Sequence, residues 1–174
     1  KRRPGMPAGD MIREVGLPMD AQHFFILNPA AGERSARRKL QGELDRLDGL
    51  PYTLYITSGI GDAARFVREV CQTQAGPLRF YACGGDGTLS ETATGARGQP
   101  HAAVGVWPCG SGNDFVKYYG GTARFLDLKR QTTAGTVLVD LLQAGERCAV
   151  NVANVGLEAQ AAATVVRIRR FPLL

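Results

Sequence analysis

The chain has 174 residues, of which 44% are hydrophobic and 21% charged, a balance that is typical of a folded globular protein and excludes a wholly disordered one. No apolar run approaches the roughly 20 residues that a membrane-spanning helix needs, and nothing resembles a secretory signal, so we expect a cytoplasmic protein. The net charge of +5 indicates an anionic partner, and because no nucleic-acid-binding motif accompanies that charge we expect no nucleic acid.

Residues 21–134 contain repeated strand–loop–helix units, which predict a parallel α/β sheet with helices on both faces. Residues 1–20, rich in Gly, Pro and Met, are expected to form a flexible leader. The predicted strands are 23–27, 52–57, 78–83 and 102–107, and the predicted helices between them begin near residues 35, 63 and 88. Because ligands bind outside the carboxyl ends of parallel strands, the four loops that follow these strands are expected on one rim.

The pattern changes after residue 135, where we expect the start of a β-rich second domain over residues 135–174. The β-rich runs 136–142 and 147–152, joined by residues 143–146, predict an antiparallel hairpin. Residues 157–170 predict a helix that is arginine-rich at its end, and it fits a bilayer surface as well as an ordinary domain helix. Since two strands cannot bury a face by themselves, we expect most of this domain to be missing.

Gly84-Gly85-Asp86-Gly87-Thr88 lies between a buried strand and a helix. Glycines let the backbone approach a ligand closely, and the helix N-terminus behind them is an anion site. Asp86 is explained if a cation accompanies a phosphate, because Mg²⁺ binds through one or two carboxylates together with phosphate oxygens. Taken alone, the stretch also fits a glycine-rich turn with an aspartate at a helix cap.

Three further loops follow the other predicted strands. Asn28 to Gly32 alone fits a simple turn, and Asn113-Asp114 alone fits a helix cap. The loop at residues 57–62 carries Thr57. Four such loops at four successive strand ends predict one shared ligand site rather than four independent turns.

Together these residues resemble the lipid kinase family that contains diacylglycerol kinases and sphingosine kinases, from about residue 23 to the end of the chain. The motifs that carry the resemblance are Ile26-Leu27-Asn28-Pro29 with Gly32, Gly84 to Leu89 followed by Glu91, Pro108-Cys109-Gly110-Ser111-Gly112-Asn113-Asp114-Phe115, and Val139-Asp140 with Asn151-Val152 and Gly156. The G-G-D-G-T stretch alone is shared with NAD kinases. The loop at residues 108–115 is what narrows the resemblance to lipid kinases.

The resemblance implies an ATP- and Mg²⁺-dependent lipid kinase of phospholipid biosynthesis, a transferase acting on a lipid alcohol such as diacylglycerol at the inner face of the membrane. It implies ATP-binding roles for Asn28, Pro29, Ala30, Ala31, Gly32, Thr57, Gly84, Gly85, Asp86, Gly87, Thr88, Leu89, Ser90 and Ser111. It implies active-site roles for Asp86, also the candidate metal ligand, and Asp114, with Asn113 and Asp140 in a supporting polar network. The general base is expected beyond Leu174, so we expect this chain to bind nucleotide weakly and not to turn over lipid.

The sequence departs from the family after the first loop, where a basic residue is common and this chain has Glu33 and then Arg34. Two other functions stay open. An NAD kinase-like enzyme shares the glycine-rich stretch but gives no reason for Ser111 to Phe115. A non-catalytic nucleotide-binding regulatory module would keep the loops and lack the base.

Overall fold

A four-stranded parallel sheet with helices between its strands forms the centre of the protein, and short antiparallel strands flank it. The computed structural model describes residues 14–15, 20–32 and 35–151. The strands are β1 (Glu14–Val15), β2 (Gln22–Leu27), β3 (Tyr52–Ile56), β4 (Leu78–Gly84), β5 (Ala102–Pro108), β6 (Thr136–Val137), β7 (Leu142–Ala144) and β8 (Arg147–Ala149). The helices are α1 (Ala36–Leu44), α2 (Asp62–Thr73), α3 (Asp86–Ala96), α4 (Asp114–Tyr118), α5 (Ala123–Leu126) and α6 (Leu128–Thr133).

The parallel sheet has the strand order β3-β2-β4-β5. Leu27 at the end of β2 lies opposite Ile56 and Cys83, and Gly84 lies opposite Pro108. The carboxyl ends of all four strands therefore meet at one edge, as the sequence predicts, and the loops that follow them are neighbours.

Both faces of the sheet are covered, because side chains along each strand alternate between them. One face packs Phe25, Tyr81 and Trp107 against leucines of α1 and Leu128 of α6. The other face packs β2, β4 and β5 against α2, α3 and α4, through Phe24, Ile26, Phe80, Ala82, Val106, Ala63, Val67, Leu89 and Val116. The predicted α/β class with helices on both faces is confirmed.

Helices α2 and α3 pass very close to each other at Gly95. A Cβ at this position would lie 2.6 Å from the carbonyl oxygen of Ala64 and 2.7 Å from Cβ of Val67. Only a residue without a side chain permits this approach, so Gly95 sets the separation of the two helices.

Helices α5 and α6 were not among the predicted elements. They have four and six residues, which is too short for a repeating apolar pattern. Leu128 is nevertheless fully buried, and Asp127 caps α6 by accepting a hydrogen bond from the backbone N–H of Arg130 at 2.9 Å. This short segment thus completes the core on the α1 face.

The single strand predicted over residues 136–142 is wrong, because its two ends form separate strands and the residues between them form none. Thr136–Val137 pairs with Glu14–Val15, whereas Leu142–Ala144 pairs with Arg147–Ala149. The hairpin closes through Gly145 and Glu146 alone, because Gly145 adopts a φ of +59° that suits a two-residue turn. The apolar side chains of residues 138 and 139 are exposed, so their β-rich pattern does not mark a core strand.

The ends of the described chain bear on three further predictions. Residues 14–15, inside the predicted leader, form a strand, and the predicted strand 147–152 ends at Ala149. The predicted helix at 157–170, together with Val152 and Gly156, lies outside the described residues.

Within the described residues, no helix combines the length and apolarity needed to cross a bilayer. The division of the chain at residue 135 stays a prediction.

Candidate functional site

A cleft of about 1320 Å³ opens at the carboxyl edge of β2, β4 and β5. Three of the four predicted loops contribute to its lining. The predicted residues that line it are Asn28, Ala30, Ala31, Gly32, Gly85, Asp86, Gly87, Thr88 and Ser111. Its volume exceeds the few hundred Å³ that an ordinary small-molecule site needs, so a nucleotide-sized ligand has room.

The two glycine-rich loops touch each other backbone to backbone. The amides of Cys109 and Gly110 both donate to the carbonyl oxygen of Gly84, at 2.9 and 3.3 Å. A Cβ on Gly110 would overlap the Cα of Gly85, and a Cβ on Gly85 would lie 3.2 Å from the Cα of Gly110. The cleft floor is therefore formed by bare backbone, which is what a phosphate-binding surface requires.

Asn28 ties the first loop to the glycine-rich loop. Its Nδ2 donates to Oγ1 of Thr88 at 3.2 Å, and its Oδ1 accepts from the amide of Ala30 at 2.9 Å. Its own amide donates to the carbonyl of Cys83 at 3.0 Å. A Cβ on Gly32 would overlap the carbonyl oxygen of Cys109, so the first loop reaches the third as well.

Asn113 shapes the third loop. It has a φ of 53°, in the left-handed region that asparagine tolerates better than most residues. Its Oδ1 accepts from the amide of Gly110 at 3.1 Å while its Nδ2 donates to the carbonyl of the same residue at 2.7 Å. This reciprocal pair closes the loop on itself and directs the chain into α4.

Asp86 is one of the two acidic residues in the described part of the cleft lining, the other being Glu43 of α1. Its Oδ1 accepts a hydrogen bond from the backbone N–H of Phe115 at 3.2 Å, in the first turn of α4. A Cβ on Gly112 would lie 2.9 Å from the other oxygen, Oδ2. Asp86 therefore connects the glycine-rich loop to the third loop while the carboxylate lines the cleft.

The N-terminus of α3 faces into the cleft through residues 85–88. The first amides of a helix have no partner within it, and the helix dipole makes this end positive. Gly85 at the N-cap has no side chain to cover those amides. A phosphate group placed in the cleft would find its donors here.

Several predicted binding residues do not line the cleft. Thr57 is buried and hydrogen-bonded to the carbonyl of Leu27 through its amide at 2.9 Å, so it fixes the end of β3. Leu89 is buried among core side chains. The others outside the lining are Pro29, Gly84, Ser90, Asn113, Asp114 and Asp140. Their proposed contacts with ligand stay predictions.

Asp114 and Asp140 are both exposed. Asp114 forms an ion pair with Lys117 at 2.9 Å, with more than half of each side chain exposed. Its other oxygen, Oδ2, lies 3.7 Å from the position of a Cβ on the cleft residue Gly112, so Asp114 adjoins Asp86 across that glycine. Asp140 lies in the segment between β6 and β7 and is not among the lining residues.

Helix α1 forms a wall of the cleft, and the sequence analysis did not predict this. Ser35, Lys39 and Glu43 line it at a spacing of four residues, which places them on one side of the helix. The buried Leu40 and Leu44 lie next to that side and pack on the sheet. Among the described lining residues, Lys39 supplies the basic side chain.

A buried carboxylate, which the sequence analysis did not predict, organises the loop after β3. Asp62 accepts from the amide and the hydroxyl of Ser58, each at 2.8 Å, and from Tyr55 and Arg65. The Ser58 amide, with these other donors, lowers the pKa of Asp62 well below its usual range. Glu91 accepts from the amide of Gly61 at 2.9 Å, so this motif residue joins the same loop to α3.

The chemistry available in the cleft is that of binding and charge neutralisation. Burial raises the pKa of Cys109 to about 11, which keeps the thiol protonated and makes it a poor nucleophile at neutral pH. Among the described residues, no three His, Cys, Asp or Glu side chains are grouped to hold a metal ion. A cation bound here would therefore take most of its ligands from water and from a ligand's own oxygens, with one or two carboxylates such as Asp86.

Fold and site together define a doubly wound α/β protein with a glycine-lined cleft at the carboxyl edge of its sheet. Residues 22–144 match the diacylglycerol kinase catalytic domain, and the chain belongs to that family.

Curated relatives agree with this assignment, and a solved structure shares the fold. The chain is 35% identical over 138 residues to a probable lipid kinase YegS of Escherichia fergusonii, covering 76% of this chain and 45% of the relative. It is 39% identical over 96 residues to a probable YegS-like lipid kinase of Pectobacterium atrosepticum, covering 53% and 31%. A diacylglycerol kinase from Bacillus anthracis shares the fold, with a TM-score of 0.60 at 22% identity over 84% of this chain and 52% of that one. The chain thus spans less than half the length of these two curated relatives.

Proposed function

We propose that the protein is an ATP-dependent lipid kinase. It transfers the γ-phosphoryl group of ATP to the hydroxyl of a lipid alcohol such as diacylglycerol. The observation that carries the proposal is the convergence of three motif loops on one cleft in a chain of the diacylglycerol kinase catalytic family. The relatives named as probable lipid kinases support a lipid as the acceptor.

The cleft suits the phosphates of a nucleotide. The bare backbone at Gly85 and Gly110 and the first amides of α3 offer donors to phosphate oxygens, and Lys39 offers a positive charge. ATP with Mg²⁺ would supply the transferable phosphoryl group and neutralise its charge. Phosphoryl transfer depends mainly on such positioning and charge stabilisation, so the residues present fit the donor half of the reaction.

Asp86 is proposed to hold the cation. Its Oδ1 is fixed by the Phe115 amide, which sets the carboxylate in the cleft. One carboxylate is enough for Mg²⁺, since this ion keeps several waters and takes its other ligands from substrate phosphates. Asp114, Asn113 and Asp140 are assigned supporting roles.

The general base is not assigned to a described residue. We therefore expect the 174-residue chain to bind ATP without phosphorylating lipid, and the intact protein to do both. Because a lipid alcohol is reached from a bilayer, we further propose peripheral association with the cytoplasmic face of the membrane, where ATP is available.

Substitution of Asp86 tests the cation role. Asp86→Asn keeps an oxygen that can accept from Phe115 and removes the negative charge, whereas Asp86→Ala removes both. We expect Asp86→Asn to melt close to the unsubstituted chain and to lose roughly tenfold or more in Mg²⁺-dependent ATP affinity, because a carboxylate ligand is replaced by a neutral amide. Calorimetric titration with ATP, with Mg²⁺ or with EDTA, measures the effect. An unchanged affinity of Asp86→Asn would remove Asp86 from the cation site.

A lipid kinase assay on the intact protein decides between the candidate functions. A panel of lipid alcohols and NAD, each with radiolabelled ATP, is offered to the same preparation. Phosphorylation of a lipid supports the proposal, and phosphorylation of NAD instead replaces it with an NAD kinase. ATP binding with no acceptor phosphorylated indicates a non-catalytic nucleotide-binding module.

A further inference from the structure

An exposed pair of tyrosines follows the third loop of the site, where the established motifs assign no role. Tyr118 ends α4 and is 70% exposed, and Tyr119 is 37% exposed. Their ring centroids lie 5.0 Å apart at nearly a right angle. Adjacent aromatic side chains left in water mark a surface that gains free energy when it is covered.

The pair is held in place from beneath. The Tyr119 ring packs on Phe115 with centroids 4.7 Å apart, and Phe115 contacts Phe125 at 6.5 Å. Phe115 in turn packs on a core cluster that contains the fully buried Val116. The packing of Phe115 beneath Tyr119 therefore holds the tyrosine pair in a fixed position on the surface.

Basic residues lie close to the two tyrosines in the chain. Arg124 donates through Nη1 to the carbonyl oxygen of Tyr119 at 3.5 Å, and Lys117 precedes Tyr118 in α4. The Lys117–Asp114 pair is exposed, and exposed pairs are weak. Between residues 114 and 130 there are four basic residues (Lys117, Arg124, Lys129, Arg130) and two acidic ones (Asp114, Asp127), a net charge of +2.

The surface adjoins the cleft. Residues 110–112 line the cleft and lead directly into α4, and Leu126, at the end of α5, lines the cleft as well. Between these two lining segments the chain carries a group of residues that we call the tyrosine surface. It consists of Lys117, Tyr118, Tyr119, Gly120 and Arg124.

We propose that the tyrosine surface docks on an anionic phospholipid bilayer. This rests on the proposed function, because a water-insoluble alcohol must reach the cleft from a membrane. Tyrosine places its ring at the boundary between acyl chains and headgroups, and Lys and Arg beside it are attracted to anionic headgroups. Aromatic and basic groups together match this partner better than either would alone.

Vesicle sedimentation of the 174-residue chain tests the proposal. We expect binding to phosphatidylglycerol–phosphatidylcholine vesicles that weakens with salt. Tyr118→Ser should lower the partition coefficient roughly threefold to tenfold through lost apolar burial. Arg124→Gln should lower it about fivefold at low salt and little at high salt. Tyr52→Ser, at the amino end of β3, serves as the control and should leave partitioning unchanged; Tyr52 is 37% exposed and its ring packs edge-on against Phe25.

A second measurement reports on contact directly. In Tyr118→Trp, brominated lipid should quench the new fluorescence, whereas the buried Trp107 contributes the same signal with and without vesicles. Circular dichroism melting confirms that each variant is folded.

Four results would overturn the proposal: no binding of the wild-type chain to anionic vesicles, vesicle binding unaffected by Tyr118→Ser, an equal loss in Tyr52→Ser, or no quenching of Trp at position 118. Capture of a protein in place of vesicles would overturn it as well, because it would assign the surface to a protein partner. ATP titration in the absence of lipid tests the proposed function separately. A failure of the docking proposal can therefore be distinguished from a failure of the proposed kinase function.

Discussion

Gly110 and Gly85 are the residues on which the cleft floor most depends. Because a Cβ at Gly110 would overlap the Cα of Gly85, Gly110→Ala must force the two loops apart. We expect a loss of roughly 1–3 kcal/mol in the free energy of unfolding, as in other overpacked sites, together with weaker ATP binding. Chemical denaturation and ATP titration measure the two effects.

Gly87→Ala is the matched control for this prediction. A Cβ at Gly87 meets no atom within 4 Å, and the residue lies in the first turn of α3 and lines the cleft. It should fold at least as stably as the unsubstituted chain while weakening ATP binding if phosphate lies over that turn. Equal stability losses in Gly87→Ala and Gly110→Ala would refute the close-contact argument.

Sequence reasoning anticipated the loop residues that line the cleft better than the helix residues that line it. Glycines, Asn28 and Asp86 are recognisable because turn and helix-start chemistry restricts which residues occur there. Lys39 and Glu43 were missed, since their position in the cleft wall depends on how α1 packs on the sheet. Asp62 was missed because its partners Tyr55 and Arg65 meet it only in the folded loop.

At the scale of elements, the approach of α2 to α3 through Gly95 has a measurable consequence. Gly95→Ala would push a methyl group against Ala64 and Val67, so we expect destabilisation of roughly 1–3 kcal/mol. Gly42→Ala in α1 is the control, because a Cβ there meets nothing within 4 Å and alanine favours the helix by roughly 0.4–1 kcal/mol. Urea unfolding curves should separate the two variants in opposite directions. Two variants that shift the midpoint in the same direction would show that the helices tolerate a wider spacing.

The predicted elements were accurate where the signal is local. The four apolar runs of the parallel sheet lie within a residue of the observed strands, because each is a short apolar run bounded by turn residues. The region after residue 135 was less predictable. The split of 136–142 into β6 and β7 depends on a pairing with residues 14–15 that lies far away in the chain.

At the scale of the whole molecule, the buried His23 makes stability depend on pH. Its Nδ1 lies 3.0 Å from the Tyr81 hydroxyl, and burial, with the positive charge of Arg79, lowers the pKa of His23 below its ordinary 6.5. In the pH range between the lowered value and 6.5 the unfolded chain binds a proton that the native protein does not. Stability contributed by neutral His23 is therefore lost as pH falls below about 6.5.

Thermal unfolding between pH 7 and pH 5 checks this expectation. The melting temperature should fall over that interval, and His23→Gln should show a smaller fall. Asp62, whose pKa is lowered, loses its contribution only below its ordinary value of 3.8, so it does not obscure the window. Parallel melting profiles for the two chains would contradict the role given to His23.

The β1–β6 pair joins the two ends of the segment that carries the parallel sheet, because Val15 and Thr136 are in register in that antiparallel ladder. Paired antiparallel residues have their Cα atoms about 5 Å apart, so this segment begins and ends at nearly the same point. Neighbouring entry and exit points are what circular permutation requires. Joining them with a short linker and opening new ends at the exposed turn after α1 should leave the order of the parallel strands, and the cleft at their carboxyl edge, unchanged.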